Sequence, residues 1–263
     1  MKAKTAMNLK LNWLGLYVSD FKASLHYYTS VLGIATRVAK SDFALFRTTG
    51  MTFEMFAGGT GPLQDQFWGH GQAFRPGIMV DDLPGLTTEL RSKGVQFTGE
   101  QTQTEPGEQV ELLAPELLRW TLIHAPDNPN STRLNRPHLG LVELKVLHQT
   151  EQRDFYAEFL GLQPEEQADG GIMFRQEPGN PLLVLKSGGE QAPPLQVHQG
   201  ELYLPPPHLL GFETSDIEQA ASQLKSLGVP ILIDATRRDW GGIEMILSDP
   251  DGNPIQVVEY VRR

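Results

Sequence analysis

The 263-residue sequence predicts an α+β fold of four βαβββ units, joined in pairs as two fused modules. Internal repetition is the first observation behind this. YYTSVLG at 27–33 returns as FYAEFLG at 155–161, and DDLPGLTTELRSKGV at 81–95 returns as SDIEQAASQLKSLGV at 215–229. A repeat of this length marks a duplicated structural unit. The second observation is the pattern inside each copy, where apolar residues run at alternate positions, switch to helical spacing, and switch back.

The elements follow in order. LNWLGLYV, 11–18, places Trp13, Gly15 and Tyr17 on one strand face and Leu14, Leu16 and Val18 on the other. Ser19-Asp20 then opens a helix with Leu25, Tyr28, Val31 and Leu32 along one side and Gly33 as its stop. Strand candidates follow at IATRVAK, FALFRTT and TFEMFA. The second unit repeats the order, with GIMVDDL, a helix carrying Leu83, Leu86 and Leu90 that ends at Gly94, then VQFTGEQ, QVELLA and RWTLIHA. In the second module LVELKV leads into a helix around 151–160, GIMFRQ and LLVLKS, and LLGFET leads into a helix around 216–227, PILIDA, IEMILS and PIQVVEY. APDNPNSTRLNRP, 125–137, is rich in Pro and Asn without an apolar period. The expected organisation is a first module over 8–125, a linker over 126–137 and a second module over 138–263.

Composition excludes several functions. Forty per cent hydrophobic and 21% charged residues describe an ordinary globule. The absence of cysteine removes disulfides, thiolate metal sites and a cysteine nucleophile, and fits a cytoplasmic location. The N-terminal segment alternates polar with apolar residues rather than forming a signal peptide. No apolar run approaches the roughly 18 residues of a membrane span. A net charge of −10 without a basic stretch argues against nucleic acid and suits a cationic ligand.

LGLYVSDFKASLHYYTSVLG, GFETSDIEQAASQLKSLGV and DWGGIEMILSDPDGNPIQVVE resemble the vicinal oxygen chelate superfamily of glyoxalases, extradiol dioxygenases and bleomycin resistance proteins. The resemblance spans about 10–124 and 139–261; in the first module APELLRW stands where the second has DPDGN. It implies that each module is a curved mixed sheet enclosing a cup, with helices outside. It also implies up to four cup-facing side chains that hold a divalent metal. Those family positions fall on Trp13, Glu54, Arg75 and Thr121 in the first module and on Leu141, Val184, Leu209 and Gln256 in the second. Only Glu54 among them has a strong metal-ligating group, since a dication needs several converging oxygen or imidazole donors. The expectation is therefore a site with no metal and no other cofactor, in which Gln256 is a retained polar contact and Glu54 and Arg75 either pair with each other or reach solvent at the rim of the cup.

The expected ligand-binding residues are Trp13, Tyr17, Glu54, Arg75, Glu143, Lys145, Glu213, Trp240 and Gln256. Trp120 is a further candidate wall, and the second module, which keeps DPDGN, is the favoured site. His208 follows Pro205, Pro206 and Pro207, so it reads as an exposed loop residue, although a bulge would turn it into the cup. GGTGPL, 58–63, lacks the ending of a phosphate loop; Asn130-Ser131-Thr132 is only a formal glycosylation acceptor, and His70 and His124 stand alone. Two functions compete. One is a metal-independent protein that binds a cationic or aromatic small molecule, as monomer or homodimer. The other is an enzyme with Glu54 and Glu213 as candidate bases: a glyoxalase-like lyase or extradiol-type dioxygenase with displaced metal ligands, or a metal-free isomerase or epimerase.

Overall fold

The computed structural model describes residue 7 and residues 9–58, 74–104, 107–125, 136–176, 181–189, 196–198, 201–203 and 208–260. The phosphate-loop-like stretch from Gly59, the Asn130 triplet, His70, the Pro205–Pro207 run and nearly all of the linker lie outside them.

The first unit is β1 (Lys10–Val18), α1 (Phe21–His26), β2 (Thr36–Ala39), β3 (Phe43–Phe46), the short β4 (Thr49–Gly50) and β5 (Thr52–Ala57). The second is β6 (Phe74–Val80), α2 (Leu83–Ser92), β7 (Gln96–Phe97), β8 (Thr102–Thr104), β9 (Gly107–Leu113) and β10 (Arg119–His124). The third is β11 (His138–Val146), α3 (Gln149–Leu160), β12 (Pro164–Glu166), β13 (Ile172–Phe174) and β14 (Leu182–Ser187), followed by a hairpin of β15 (Gln196–His198) and β16 (Glu201–Tyr203). The fourth is β17 (His208–Glu213), α4 (Ile217–Ser226), β18 (Ile231–Arg237), β19 (Ile243–Ser248) and β20 (Pro254–Glu259). The α+β class and the four units are as predicted. β12 and the β15–β16 hairpin carry too little apolar alternation to be read from sequence.

Local chemistry sets the helix ends. Asp20, Asp82 and Asp216 each accept the backbone N–H three residues on, satisfying donors that a helix start leaves open. α1 continues as a π-helical turn over Tyr27–Val31, which shifts its periodicity: Phe21, Ser24, Tyr28 and Leu32 are buried, while Leu25 and Val31 are only half-buried.

The sheets correct one expectation. Each cup is built across the two modules, not within one. The eight-stranded sheet runs β18-β19-β20-β17-β1-β5-β3-β2, uniting the fourth unit with the first. The ten-stranded sheet follows the path β12-β13-β14-β11-β6-β10-β9-β7, uniting the third with the second. The central joins, β1 with β17 and β11 with β6, are both antiparallel and both skip one residue, between Leu11 and Trp13 and between Leu139 and Leu141. A bulge reverses the facing of the strand beyond it. Leu11 and Leu139 accordingly lie in the main core, while Trp13 and Leu141 belong to separate small clusters on the opposite faces.

The units of each module are tied together by carboxylates. Asp251, in the DPDGN turn, accepts from the backbone N–H of Leu147 and His148 at 2.8 and 3.3 Å, and His148 Nδ1 lies 2.8 Å from it. In the first module Glu116 accepts from the N–H of Ser19 and Asp20 at 2.7 and 3.1 Å. The APELLRW turn therefore does the same job as DPDGN with a different residue, and Glu116 adopts a left-handed φ of 61° to do so. Among the described residues no helix is long and apolar enough to cross a membrane.

Candidate functional site

The two cups have diverged. Between the first and fourth units lies a cavity of about 660 Å³, whereas the space between the second and third is about 20 Å³, room for roughly one water.

Trp13 forms the floor of the large cavity. Its indole lies across Gly15 and Gly211, where a side chain would collide with the ring, and it packs with Leu209, Ile233 and Ile246. The indole Nε1 donates to Glu54 Oε2 at 2.9 Å. Burial pushes the Glu54 carboxyl above the usual glutamate range, and the Trp13 bond offsets part of that rise. Tyr17 stacks on Phe56 with ring centres 5.1 Å apart, and Phe43 leans on Phe56 at 5.3 Å. Trp240 and Tyr260, which also line the cavity, pair at 6.0 Å. Trp240 folds over Gly242, which has no side chain to obstruct it. The Tyr260 hydroxyl is held above the usual tyrosine range by burial, with Glu54 and Glu213 adding to the rise.

Three of the remaining polar groups bond one another. Glu244 accepts from Arg238 Nε through one oxygen and from Gln256 Nε2 through the other, each at 2.6 Å. Asp239 and Arg237 are exposed at the mouth.

The small cup is filled by charge. Arg75 bonds Glu111 and lies 3.4 Å from Glu143, and Arg119 reaches Glu111 at 3.1 Å. Lys186 bonds Asp169. Burial pushes Glu143 above its ordinary range against the pull of Arg75.

The structure thus divides the residues expected to bind a ligand. Trp13, Tyr17, Glu54, Trp240 and Gln256 line the large cavity, and Glu143 lines the small one. Arg75 belongs to the ion cluster beside Glu143, so the expected Glu54–Arg75 pair does not form. Lys145 lies opposite Lys186 on β14 and borders neither cavity; Glu213 lies opposite Lys10 at the end of β17, accepts from Asn12, and also borders neither. Trp120 is a core residue, 1% exposed, whose indole donates to Tyr28. His208 is not an exposed loop residue: it starts β17, is buried against Phe74, and burial pushes its imidazole down to about 3. The open cup belongs to neither module alone, so favouring the second module located only half of it.

Phe43, Phe56, Arg238, Glu244 and Tyr260 were not foreseen. Alternation signals three of them, since Phe56 is two residues beyond Glu54, Tyr260 four beyond Gln256, and Glu244 faces Val258 in register. The pairing of β5 and β20 around one cup is what sequence periodicity does not carry.

Of the eight positions that the resemblance assigns to metal ligands, Trp13, Glu54 and Gln256 line the open cup, with Leu209 packed on Trp13, and Thr121, Leu141 and Val184 line the closed one, with Arg75 beside Glu143. In the open cup Trp13 and Leu209 bring no lone pair, and Glu54 already accepts the indole. Glu244 has both oxygens engaged, one by a cation. This donor set does not fit a dication.

The model of the Glyoxalase/Bleomycin resistance protein/Dioxygenase superfamily matches residues 10–114 and 138–257. Glyoxalase I from Zea mays is similar in structure, with a TM-score of 0.70 at 19% identity over 96% of this chain and 92% of that one. A Bacillus subtilis protein described as a "putative dioxygenase" has a TM-score of 0.69 at 13% identity, covering 99% and 87%. At these identities the likeness is one of fold. No curated protein matches the chain in sequence.

Proposed function

The chain belongs to the glyoxalase/bleomycin resistance protein/dioxygenase superfamily, and from that premise we propose that it binds a small molecule, without a metal, in the cup between its first and fourth units. The observation that carries this reading is the Trp13–Glu54 contact beside a cavity of about 660 Å³. An apolar ring occupies one family metal position, and its N–H takes up the carboxylate at another. The volume suits a drug-sized ligand, and the mixture of aromatic walls with a few polar groups is what orients one.

The test is calorimetric titration of chelator-treated protein with a panel of neutral, cationic and aromatic compounds. One equivalent bound per chain is expected, unchanged by chelator and lost in Trp13→Ala. A ligand that binds only with a stoichiometric divalent ion overturns the reading.

Glu54 favours one second reading, a metal-free isomerase or epimerase. A half-buried carboxylate with a raised pKa is suited to taking and returning a proton. Glu213, the other base expected from sequence, borders neither cavity. Exchange of solvent deuterium into a bound carbonyl compound, abolished in Glu54→Gln, is the result that reading expects.

A further inference from the structure

The open cup is lined by aromatic side chains from two units. Trp13, Tyr17, Phe43 and Phe56 come from the first unit, with Trp13 and Phe56 6.3 Å apart, and Trp240 and Tyr260 come from the edge of the fourth. Such surfaces reward a flat ring system in offset or edge contact. Their faces are negative, so they also attract a cation and repel an anion.

The polar groups narrow the ligand further. Glu244 is saturated by Arg238 and Gln256, and Asp239 lies exposed at the mouth beside exposed Arg237. Glu54, by contrast, spends one oxygen on Trp13; among the described residues its other oxygen has no hydrogen-bond partner. The group missing at the depth of the cup is a donor. An oxyanion there would face a carboxylate and the rings, with the Arg238 guanidinium already bound to Glu244.

We propose that the open cup takes a planar aromatic amine of two or three fused rings, its ring against these aromatic side chains and its N–H donor on the second oxygen of Glu54. This rests on the reading of the cup as a small-molecule site. It adds the ligand's class, its orientation and the residue that selects it. Cup size agrees, since a ligand of that size is enclosed by a few hundred Å³.

Three probes test it: 9-aminoacridine and acridine-9-carboxylate, which share one ring system and differ in charge, and cyclohexylamine, which keeps the ammonium but has only a single non-planar ring. Calorimetry on the full chain is expected to show 9-aminoacridine binding one per chain, acridine-9-carboxylate at least about tenfold more weakly for want of one charge-assisted hydrogen bond, and cyclohexylamine at least about tenfold more weakly for want of the aromatic ring contacts. Glu54→Gln, which keeps an acceptor for Trp13, is expected to weaken 9-aminoacridine by a similar factor. Glu151→Gln, an exposed change on α3, leaves it unaltered. Circular dichroism verifies that both variants fold. Tighter binding of acridine-9-carboxylate, or indifference of 9-aminoacridine to Glu54→Gln, overturns the amine class and leaves the cup standing as a binding site. Binding by none of the three overturns the inference, and the broader panel of neutral compounds then decides separately whether the cup binds anything.

Discussion

Trp13 and Glu54 hold each other in place: the indole N–H sits 2.9 Å from the carboxylate, and the ring lies on a stretch of sheet cleared by Gly15 and Gly211. The arrangement has a cost as well as a use. Glu54 is kept partly dehydrated so that one oxygen remains for a ligand, and its carboxyl is raised above the ordinary range mainly by burial. For a carboxyl raised in the folded state, the stabilisation is complete below the unfolded pKa and is lost as pH rises through the folded one. Glu54→Gln is therefore expected to be more stable than wild type at pH 8 and equal to it at pH 4, while binding more weakly. Urea unfolding at the two pH values measures this; equal midpoints at pH 8 would remove the argument for a strained anion.

The glycine platform can be tested independently. A Cβ at Gly211 would lie 2.7 Å from the Trp13 ring, so Gly211→Ala forces the indole off the sheet and away from Glu54. A loss of about 1–3 kcal/mol is expected, as for other overpacked sites, together with a changed near-ultraviolet circular dichroism band. Gly99→Ala, where nothing lies within 4 Å, is the control and is expected to be close to neutral.

Strand faces were legible in the sequence because alternation is a local property. Trp13, Gly15 and Tyr17 do point away from the core that buries Leu14, Leu16 and Val18. The partners of those faces were not legible, because which sheet edge a unit joins is decided by pairings between residues far apart in sequence. Gly15 lies between Glu54 and Leu209, strands from the first and fourth units, and no periodicity within either unit encodes that. The same gap explains why Glu54 was matched with Arg75 and why Glu213 was placed in a cup. His208 was misread for a different reason: its proline neighbours suggested an exposed entry, but the strand begins at His208 itself.

The carboxylate ties between units predict unequal losses. Asp251 is fully buried, and its removal strands the N–H groups of Leu147 and His148, so Asp251→Ala is expected to cost about 3 kcal/mol. Glu116 makes the corresponding bonds at the surface, where water replaces them, and Glu116→Ala is expected to cost about 1 kcal/mol. Because Glu116 sits at φ 61°, Glu116→Gly is expected to exceed Glu116→Ala in stability by about 1 kcal/mol, the reverse of the usual order. Denaturant unfolding of the three variants checks the ranking.

His208 makes the fold sensitive to acid. Burial lowers its imidazole from 6.5 to about 3, so between those values the unfolded chain binds a proton that the folded chain refuses. The stability this confers is present above pH 6.5 and drains away as pH falls toward 3, at up to about 1.4 kcal/mol per pH unit. Buried His138 is lowered too and contributes with the same sign. Asp249 opposes both: burial raises its carboxyl from 3.8 to about 6, so its contribution is full below 3.8 and is lost as pH climbs through 6. The net slope of the wild type mixes these terms, but the difference between wild type and His208→Leu isolates one of them. Leucine is similar in size and apolar, and it leaves the Phe74 contact to packing alone. The variant is expected to lose less stability than wild type between pH 6.5 and 4, and to unfold at a lower pH. Parallel stability-versus-pH curves for the two proteins would mean that His208 takes up its proton in the folded state.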